Sequence, residues 1–335
     1  MKLKVLECFG GIGACSKALE RLNIDYEIAD YVEIDKYAVK SFNAIHNTSF
    51  EPQDITQWDK DIEVDLISHG SPCQDFSLAG KQAGGDKNSG TRSSLMYETI
   101  RIVEKLKPKY VIWENVKNLL SKKHRHNFDA YLETMEQLGY TNYYQVLNAK
   151  DYGIPQNRER VFTISIRDDS CYLGDYDAFV DEQALNFKFP PKQELKLRLK
   201  DMLEDEVDEK YYLSDKMIQY ISADNEKWTG NNDKSIINKS VASAINTGEG
   251  SRRCDASNYI SNQVEENFNL KIKNNLRIRK LTPREVWRLM GFDDADFEKA
   301  AKVNSNTQLY KQAGNSIVVN VLEAILNNLL LESGE

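Results

Sequence analysis

The residues best suited to covalent chemistry lie between Ser68 and Ser77, in the run Ser-His-Gly-Ser-Pro-Cys-Gln-Asp-Phe-Ser. A nucleophilic cysteine acts as its thiolate, so it needs partial exposure and a stabilising environment. Cys73 follows a short apolar strand, Val64 to Ile67. Pro72 fixes its own φ and biases Ser71 toward extended backbone, which aims the next side chain. From Leu78 to Ser94 the chain carries Gly80, Gly84, Gly85 and Gly90 with no apolar period, the pattern of a movable lid. The plainer reading is a buried structural cysteine at a strand end. The Pro-Cys-Gln setting and the glycine-rich sequel favour a nucleophile.

Two further groups have the chemistry to act with it. Glu114 ends the apolar run Lys109 to Trp113, a strand expected to stand parallel to the one before Cys73. Ligands of open α/β sheets bind at the carboxyl edge of the strands, so both residues project to one rim. Glu114 is either a buried structural carboxylate or a catalytic acid, and carboxylates are rarely buried unless paired or functional. Arg158 and Arg160, two apart before the strand Val161 to Ile166, share a face. They read as salt-bridge partners of nearby acids, or as a clamp on a phosphate and a base carbonyl.

Near the start, the strand Lys4 to Phe9, the turn Gly10-Gly11-Ile12-Gly13 and the helical run Lys17 to Leu22 form a cofactor cradle. Glycine lets the backbone approach a ligand closely. Glu33, after the strand Tyr26 to Val32, stands where an acid commonly holds ribose hydroxyls. Asp54 is placed either to accept from an adenine amino group or to cap a turn. These features fit a dinucleotide and S-adenosylmethionine equally.

The chain has 335 residues, room for one large domain and a smaller one. No apolar run approaches the roughly 20 residues of a membrane span, and the N-terminus runs straight into a strand with no signal peptide. Five cysteines, none in a CxxC pair, argue against zinc and against a disulfide framework, so a reduced, cytoplasmic setting is expected. The net charge of −8 is not that of a typical nucleic-acid binder, yet charge is segregated. Residues 234 to 280 hold nine Lys and Arg against four Asp and Glu, whereas 201 to 209 hold six acids and no base.

Helices are expected over Arg92 to Lys107, Asn127 to Leu138 (closed by Gly139) and Ser316 to Leu331, with a strand over Tyr143 to Leu147. Pro190-Pro191 marks a boundary. Beyond it, to about residue 280, short strands such as Ser240 to Ile245 and Asn269 to Ile272 alternate with polar loops. Thr282-Pro283-Arg284-Glu285 restores order: an N-cap, a proline at the first helical position and a capping-box acid.

Taken together, these stretches resemble the DNA cytosine-C5 methyltransferases. Pro72-Cys73-Gln74 and Ser77 match the family's nucleophile motif. Phe9, Gly11 and Gly13 match the first motif, with Ala14 where another Gly is usual. Glu33 matches the ribose acid, followed by Ile34 where relatives often place an aromatic. Asp54 and Ile55 match the adenine-contacting pair, and Leu95 a further cofactor contact. Glu114-Asn115-Val116 matches the catalytic acid motif, and Gln156, Arg158 and Arg160 the eighth. Arg279 to Glu285 matches the ninth, and Gln312 to Ser316 the tenth, where Asn315 and Ser316 complete the cofactor site.

The resemblance covers residues 1 to 167 and 277 to 331, in family order. It implies S-adenosylmethionine rather than NAD, and a doubly wound, mostly parallel α/β sheet with a smaller β-rich target-recognition domain. Residues 1–185, completed by 309–335, would form the catalytic domain and 186–308 the small one. The implied substrate is a cytosine flipped out of double-stranded DNA. Cys73 would add to C6, Glu114 stabilise N3, and Arg160 hold O2 with Arg158 nearby on phosphate or loop. A monomer is expected, without metal and without membrane, with a possible separate restriction endonuclease. An RNA cytosine methyltransferase with the same catalytic set is the alternative. Within the unmatched region, Arg252 and Arg253 follow a glycine-rich turn at Thr247 to Gly250, and read a guanine edge, contact phosphates only, or simply pair with Glu249 and Asp255.

Overall fold

The computed structural model describes residues 2–72, 92–168, 186–222, 236–250, 258–263, 270–271 and 276–331. Cys73, Gln74, Ser77, most of the glycine-rich loop, Arg252 and Arg253 lie outside the described residues.

A six-stranded sheet organises the chain. Its strands are β1 (Leu3–Cys8), β2 (Tyr26–Val32), β3 (Leu66–His69), β4 (Tyr110–Val116), β7 (Glu159–Arg167) and β5 (Tyr140–Asn148), in the order β2-β1-β3-β4-β7-β5. The first four are parallel neighbours, and β7 runs antiparallel to both β4 and β5. Side chains alternate across a strand, so a sheet covered on both faces needs apolar residues at successive positions. Val5, Leu66, Ile112, Phe162 and Ile164 enter one core, while Leu6, Ile67, Val111, Trp113 and Val161 enter the other.

Helices α1 (Ala14–Arg21) and α9 (Val319–Leu330) cover the first face. Leu322, Ile325, Leu326 and Leu329 recur at helical spacing and are all fully buried. Each such side chain contributes about 1.5–3 kcal/mol on burial. The helices α3 (Met96–Leu106) and α4 (Arg125–Gln137) cover the other face. Helix α2 (Lys36–His46) follows β2, its N-cap Asp35 accepting from the Tyr37 amide at 2.9 Å.

Regular structure thins beyond residue 186. The strands β6 (Gln156–Asn157), β8 (Ile236–Ile237), β9 (Ala242–Ser243), β10 (Tyr259–Ile260), β11 (Leu270–Lys271) and β12 (Arg279–Lys280) are two residues each and pair as three small ribbons. The strand expected over Ser240 to Ile245 is therefore only β9, because bends and side-chain hydrogen bonds take over on either side of it. A short helix, α5 (Asp215–Ser222), lends Ile221 to a small cluster with Ile237, Tyr259 and Ile278. Leu199, Met202, Ala242, Ile245, Ile260 and Leu281 instead pack into the first core of the main sheet.

The helices α6 (Pro283–Arg288), α7 (Asp294–Ala301) and α8 (Asn306–Asn315) lead back to α9. Thr282 caps α6 through the expected reciprocal box with Glu285. Arg279 joins the box by a fully buried two-pronged ion pair to Glu285, both bonds at 2.8 Å. The last helix begins at Val319 rather than Ser316, and Gln312 to Asn315 are the end of α8. The stretch Asn306–Leu330 is long and apolar enough to span a membrane by composition alone. It is two helices, broken at Ser316 to Val318, with their apolar faces in the core.

Candidate active site

The cradle forms where β1 meets α1. Phe9 takes a left-handed φ of 53°, uncommon for a bulky side chain and a mark of a constrained, functional turn. Gly13, at φ 82°, caps α1, and a β-carbon there would stand 2.3 Å from Nε2 of His46. At Gly11, φ 57°, nothing lies within 4 Å of that position, so the turn opens onto space. The cleft it faces is lined by Glu7, Phe9, Gly10, Gly11, Ser68 and Gly70, and by Asn315 and Ser316 from the end of α8.

Glu33 stands over the same turn. One carboxylate oxygen accepts from the Gly11 amide at 3.2 Å and the other from the Asp35 amide at 2.8 Å. Burial pushes its carboxyl upward, partly offset by those amides. Ile34 beside it is 68% exposed, an apolar side chain turned to solvent. Asp30, at the end of β2, draws in the segment holding Asp54 and Ile55: it accepts from Trp58 Nε1 at 2.7 Å and from Gln53 Nε2 at 2.9 Å. Oδ1 of Asp54 closes a local turn onto Thr56, as its turn-capping reading expects. Ile55 and Leu95 both pack into the second core.

Ser68 to Pro72 and Glu114 end on one rim. Glu114 faces the strand next door: its Oε1 lies 3.0 Å from Nε of Arg160. The cross-strand register explains the meeting, since Arg160 sits opposite Val116 and Phe162 opposite Glu114, which makes Arg160 the diagonal neighbour on the same face. Burial raises the Glu114 carboxyl above the ordinary carboxylate range, opposed by Arg160 and then Arg158. A methyl group at Gly70 would be 3.7 Å from Oε2 of Glu114 and 3.7 Å from Ile317. Ser71 is held from below: Trp113 Nε1 donates to its Oγ at 2.9 Å and Asn115 Nδ2 to its carbonyl at 3.3 Å. The half-buried Pro72 follows directly, so the entry to the Cys73 position is fixed by β4.

A family model described as C-5 cytosine-specific DNA methylase matches residues 3–330. The chain belongs to that family. It is 35% identical to the type II methyltransferase M2.ScrFI of Lactococcus lactis subsp. cremoris, over 98% of this chain and 99% of that one. It is 32% identical to the orphan methyltransferase M.SPRI of Bacillus phage SPR, over 98% of each. Among solved structures, the S. pombe Dnmt2 methyltransferase shares the fold with a TM-score of 0.72 at 22% identity, and the Entamoeba histolytica methyltransferase EhMeth with 0.74 at 19%. Each covers 100% of both chains. The protein is accordingly a DNA (cytosine-5-)-methyltransferase with a mainly parallel α/β sheet.

Two residues of the eighth motif are buried in the packing. Of the two places expected for Arg158, phosphate or loop, it takes the loop. It is 4% exposed, in the bend between β6 and β7, and its guanidinium donates to the carbonyls of Ile245 (2.8 Å), Gly314 (3.1 Å) and Ser316 (2.9 Å). Gln156 is fully buried as well. It donates to the Leu289 carbonyl at 2.7 Å and accepts from the Ile245 amide at 2.9 Å, which leaves it no face for DNA. Arg158 ties the segment at Ile245 to the end of α8, and Gln156 ties the same segment to the end of α6.

The sequence reading missed Glu7, Trp113 and Lys311, and gave Asn115 no role of its own. Glu7 is 3% exposed and accepts from the Ser16 amide at 3.0 Å and from the Ser16 hydroxyl. Burial pushes its carboxyl up to about 7. Lys311 pairs with Asp35 at 2.6 Å and so ties α8 to the acid segment of the cleft. Trp113 and Asn115 flank Glu114 in sequence, and the alternation of the strand could have placed them under the cysteine loop. Among the described residues, no group of three or more His, Cys, Asp or Glu could hold a metal ion.

Proposed function

We propose that the chain methylates C5 of a cytosine in double-stranded DNA, with S-adenosylmethionine as methyl donor and Cys73 as the covalent nucleophile. The observation that carries the reading is the pair of buried Glu114 and half-buried Arg160 beside Gly70, on the rim where the Ser71-Pro72 segment leads to Cys73. The cleft suits the donor: Gly11 opens onto space, Glu33 is positioned for ribose hydroxyls, Ile34 offers an apolar cap, and Asn315 and Ser316 close the far side. Phe9 borders the cleft as well, and Asp54, Ile55 and Leu95 would contact the donor by their match to the family motifs. Once bound there, the donor supplies an electrophilic methyl group.

Cytosine C5 is a poor nucleophile, and the protein's residues correct that. The Cys73 thiolate forms a bond to C6, and the C5–C6 electron pair moves toward C5 and N3. Glu114, whose carboxyl is raised by burial, holds a proton at N3 as charge develops there. Arg160, fixed by Glu114, donates to O2. After C5 gains its methyl group, a water takes the C5 proton and the C6–S bond breaks, returning the thiolate. The base must leave the duplex stack for these groups to reach it. Pro72, Gln74 and Ser77 would shape the pocket around it. The region from 186 to 308 would read the DNA word, with Arg252 and Arg253 on the loop after Gly250, and the chain would act as a monomer.

Incubation with tritiated S-adenosylmethionine and either duplex DNA or tRNA tests the reading. Label in DNA is expected, together with a stable adduct on DNA containing 5-fluorocytosine, because fluorine blocks the final proton loss. Label in tRNA alone, or no adduct with the native protein and loss of nothing in Cys73→Ala, would overturn it.

A further inference from the structure

The turn between β1 and α1 is backed by a small aromatic stack. Tyr31 and Phe42 are fully buried and lie ring on ring, 3.8 Å between centroids, and the His46 ring follows 4.6 Å from that of Phe42. Tyr31, Phe42 and Val39 form a cluster apart from both main cores. The stack presses on the turn at two of its glycines. A β-carbon at Gly10 would stand 2.7 Å from Cε2 of Tyr31, and one at Gly13 would stand 2.8 Å from Cε2 of Phe42.

Two polar groups of the stack also reach the turn. The Tyr31 hydroxyl donates to the Gly11 carbonyl at 2.6 Å, and the His46 ring hydrogen-bonds the Ile12 backbone. Gly11 is thereby held at both ends, because its amide donates to Glu33 at 3.2 Å. Tyr31 and Glu33 stand two apart at the end of β2, so they share a face and meet Gly11 together. Packing asks only for the rings, and a phenylalanine at 31 would stack equally well. What the hydroxyl adds is the bond to Gly11. Burial, and then the charge of Glu33, holds the phenol in its protonated form, so it remains a donor.

We propose that Tyr31 and His46 are positioning residues for the methyl donor, fixing the Gly10–Gly13 turn from behind in the shape that receives it. The inference rests on the donor reading above. Phe9, Gly11 and Gly13 all hold left-handed backbone, at φ 53°, 57° and 82°. Backbone of this kind persists where the surroundings over-determine it. At Gly11 the side away from the stack is open, so the restraint comes through Tyr31 and Glu33. A ligand that meets a turn already in its bound shape spends less affinity on ordering it.

The test is equilibrium titration of the full chain with S-adenosylmethionine, together with steady-state kinetics on duplex DNA. Tyr31→Phe removes one oxygen and keeps the stack. His46→Leu removes the bond to Ile12 and stands as an independent variant should the first not fold. Val39→Ala is the control, since it weakens the same cluster but had no polar atom to offer the turn. Tyr31→Phe and His46→Leu are each expected to weaken donor affinity by roughly fivefold, the scale of one hydrogen bond. KM for the donor should rise in step while kcat and duplex affinity stay near native. Val39→Ala should lower the unfolding midpoint and leave donor affinity near native. Native donor affinity in Tyr31→Phe and His46→Leu, or an equal loss in Val39→Ala, overturns the inference. If the native protein itself does not bind S-adenosylmethionine, it is the donor reading that fails.

Discussion

A carboxyl group that shares a proton with cytosine N3 must resist giving that proton to water, yet lie close enough to a cation to be held in place. In the proposed mechanism Glu114 would meet both demands, since burial lifts its carboxyl and Arg160 at 3.0 Å opposes the lift. Glu114→Gln keeps the shape and removes the proton exchange. Methylation is expected to slow by roughly 10²–10³ with duplex affinity nearly kept, the usual cost of one preorganised charge-stabilising group. Single-turnover rates and equilibrium binding measured on the same variant decide it, and a native rate would make Glu114 structural. Glu114 stood out in the sequence because it comes at the end of an apolar run aimed at the rim, although β4 continues through it to Val116. Glu7 was hidden, since a lone acid inside a β-strand looks like any solvent-facing position. Its effect should appear in stability. With a folded-state value of about 7 against an ordinary 4.5, the folded protein keeps a proton that the unfolded chain releases between those values. Stability is then greatest below pH 4.5 and falls as pH rises to about 7, by on the order of 3 kcal/mol from this group. Urea titrations at pH 5 and pH 8 should show that loss in the native protein and much less of it in Glu7→Gln. Equal pH slopes in the two would assign the effect elsewhere.

Among elements, the junction of β6, β9 and α8 holds the most together. Arg158 reaches the Ile245 carbonyl just beyond β9 and the Gly314 and Ser316 carbonyls at the end of α8. Gly314 lets the two backbones meet, since a β-carbon there would stand 2.5 Å from the Thr247 amide nitrogen. Arg158→Met would strand three carbonyls in the interior, each uncompensated group costing about 1–3 kcal/mol. The expected result is a loss of about 3 kcal/mol or more in unfolding free energy with weakened S-adenosylmethionine binding. Arg158→Lys should not restore either, because an ammonium cannot fork onto three fixed acceptors. A phosphate-contacting arginine would behave in the opposite way, flattening the salt dependence and sparing stability. This junction was only partly legible in the sequence. Long elements with clear periods, such as α3, α9 and β7, are readable because each buries a face of its own. The two-residue strands β6 and β9 carry no period, and what fixes them is side-chain hydrogen bonding from Gln156 and Arg158 across about 90 residues of chain. Arg158 and Arg160, alike in the sequence, parted for the same reason: Arg160 lies within β7, while Arg158 sits in the bend before it.

At the scale of the molecule, the question is whether residues 186–308 fold as a unit. Composition and the Pro190-Pro191 break suggest a separate domain, but the apolar contacts run the other way. Leu199, Met202, Ala242, Ile245, Ile260, Leu281 and Trp287 belong to the same continuous core as Val5, Leu66 and Ile112, whereas the cluster around Ile221 and Tyr259 is small. Polar ties follow the same route: Lys17 of α1, nearly buried, bridges Asp293 and Asp296 at 3.0 and 3.1 Å, and Arg21 reaches Asp293 at 2.7 Å. Regions that share one core lose it together, because opening either face exposes apolar surface of both. Scanning calorimetry is therefore expected to give one cooperative transition with matching calorimetric and van't Hoff enthalpies. Saturating S-adenosylmethionine should raise its midpoint without splitting it if the donor takes the proposed cleft, since Ser316 lines that cleft and Arg158 ties it to the segment at Ile245. Two transitions, with only the upper one shifted by the cofactor, would mean that the recognition region has a core of its own and that the shared contacts are too weak to bind it to the sheet.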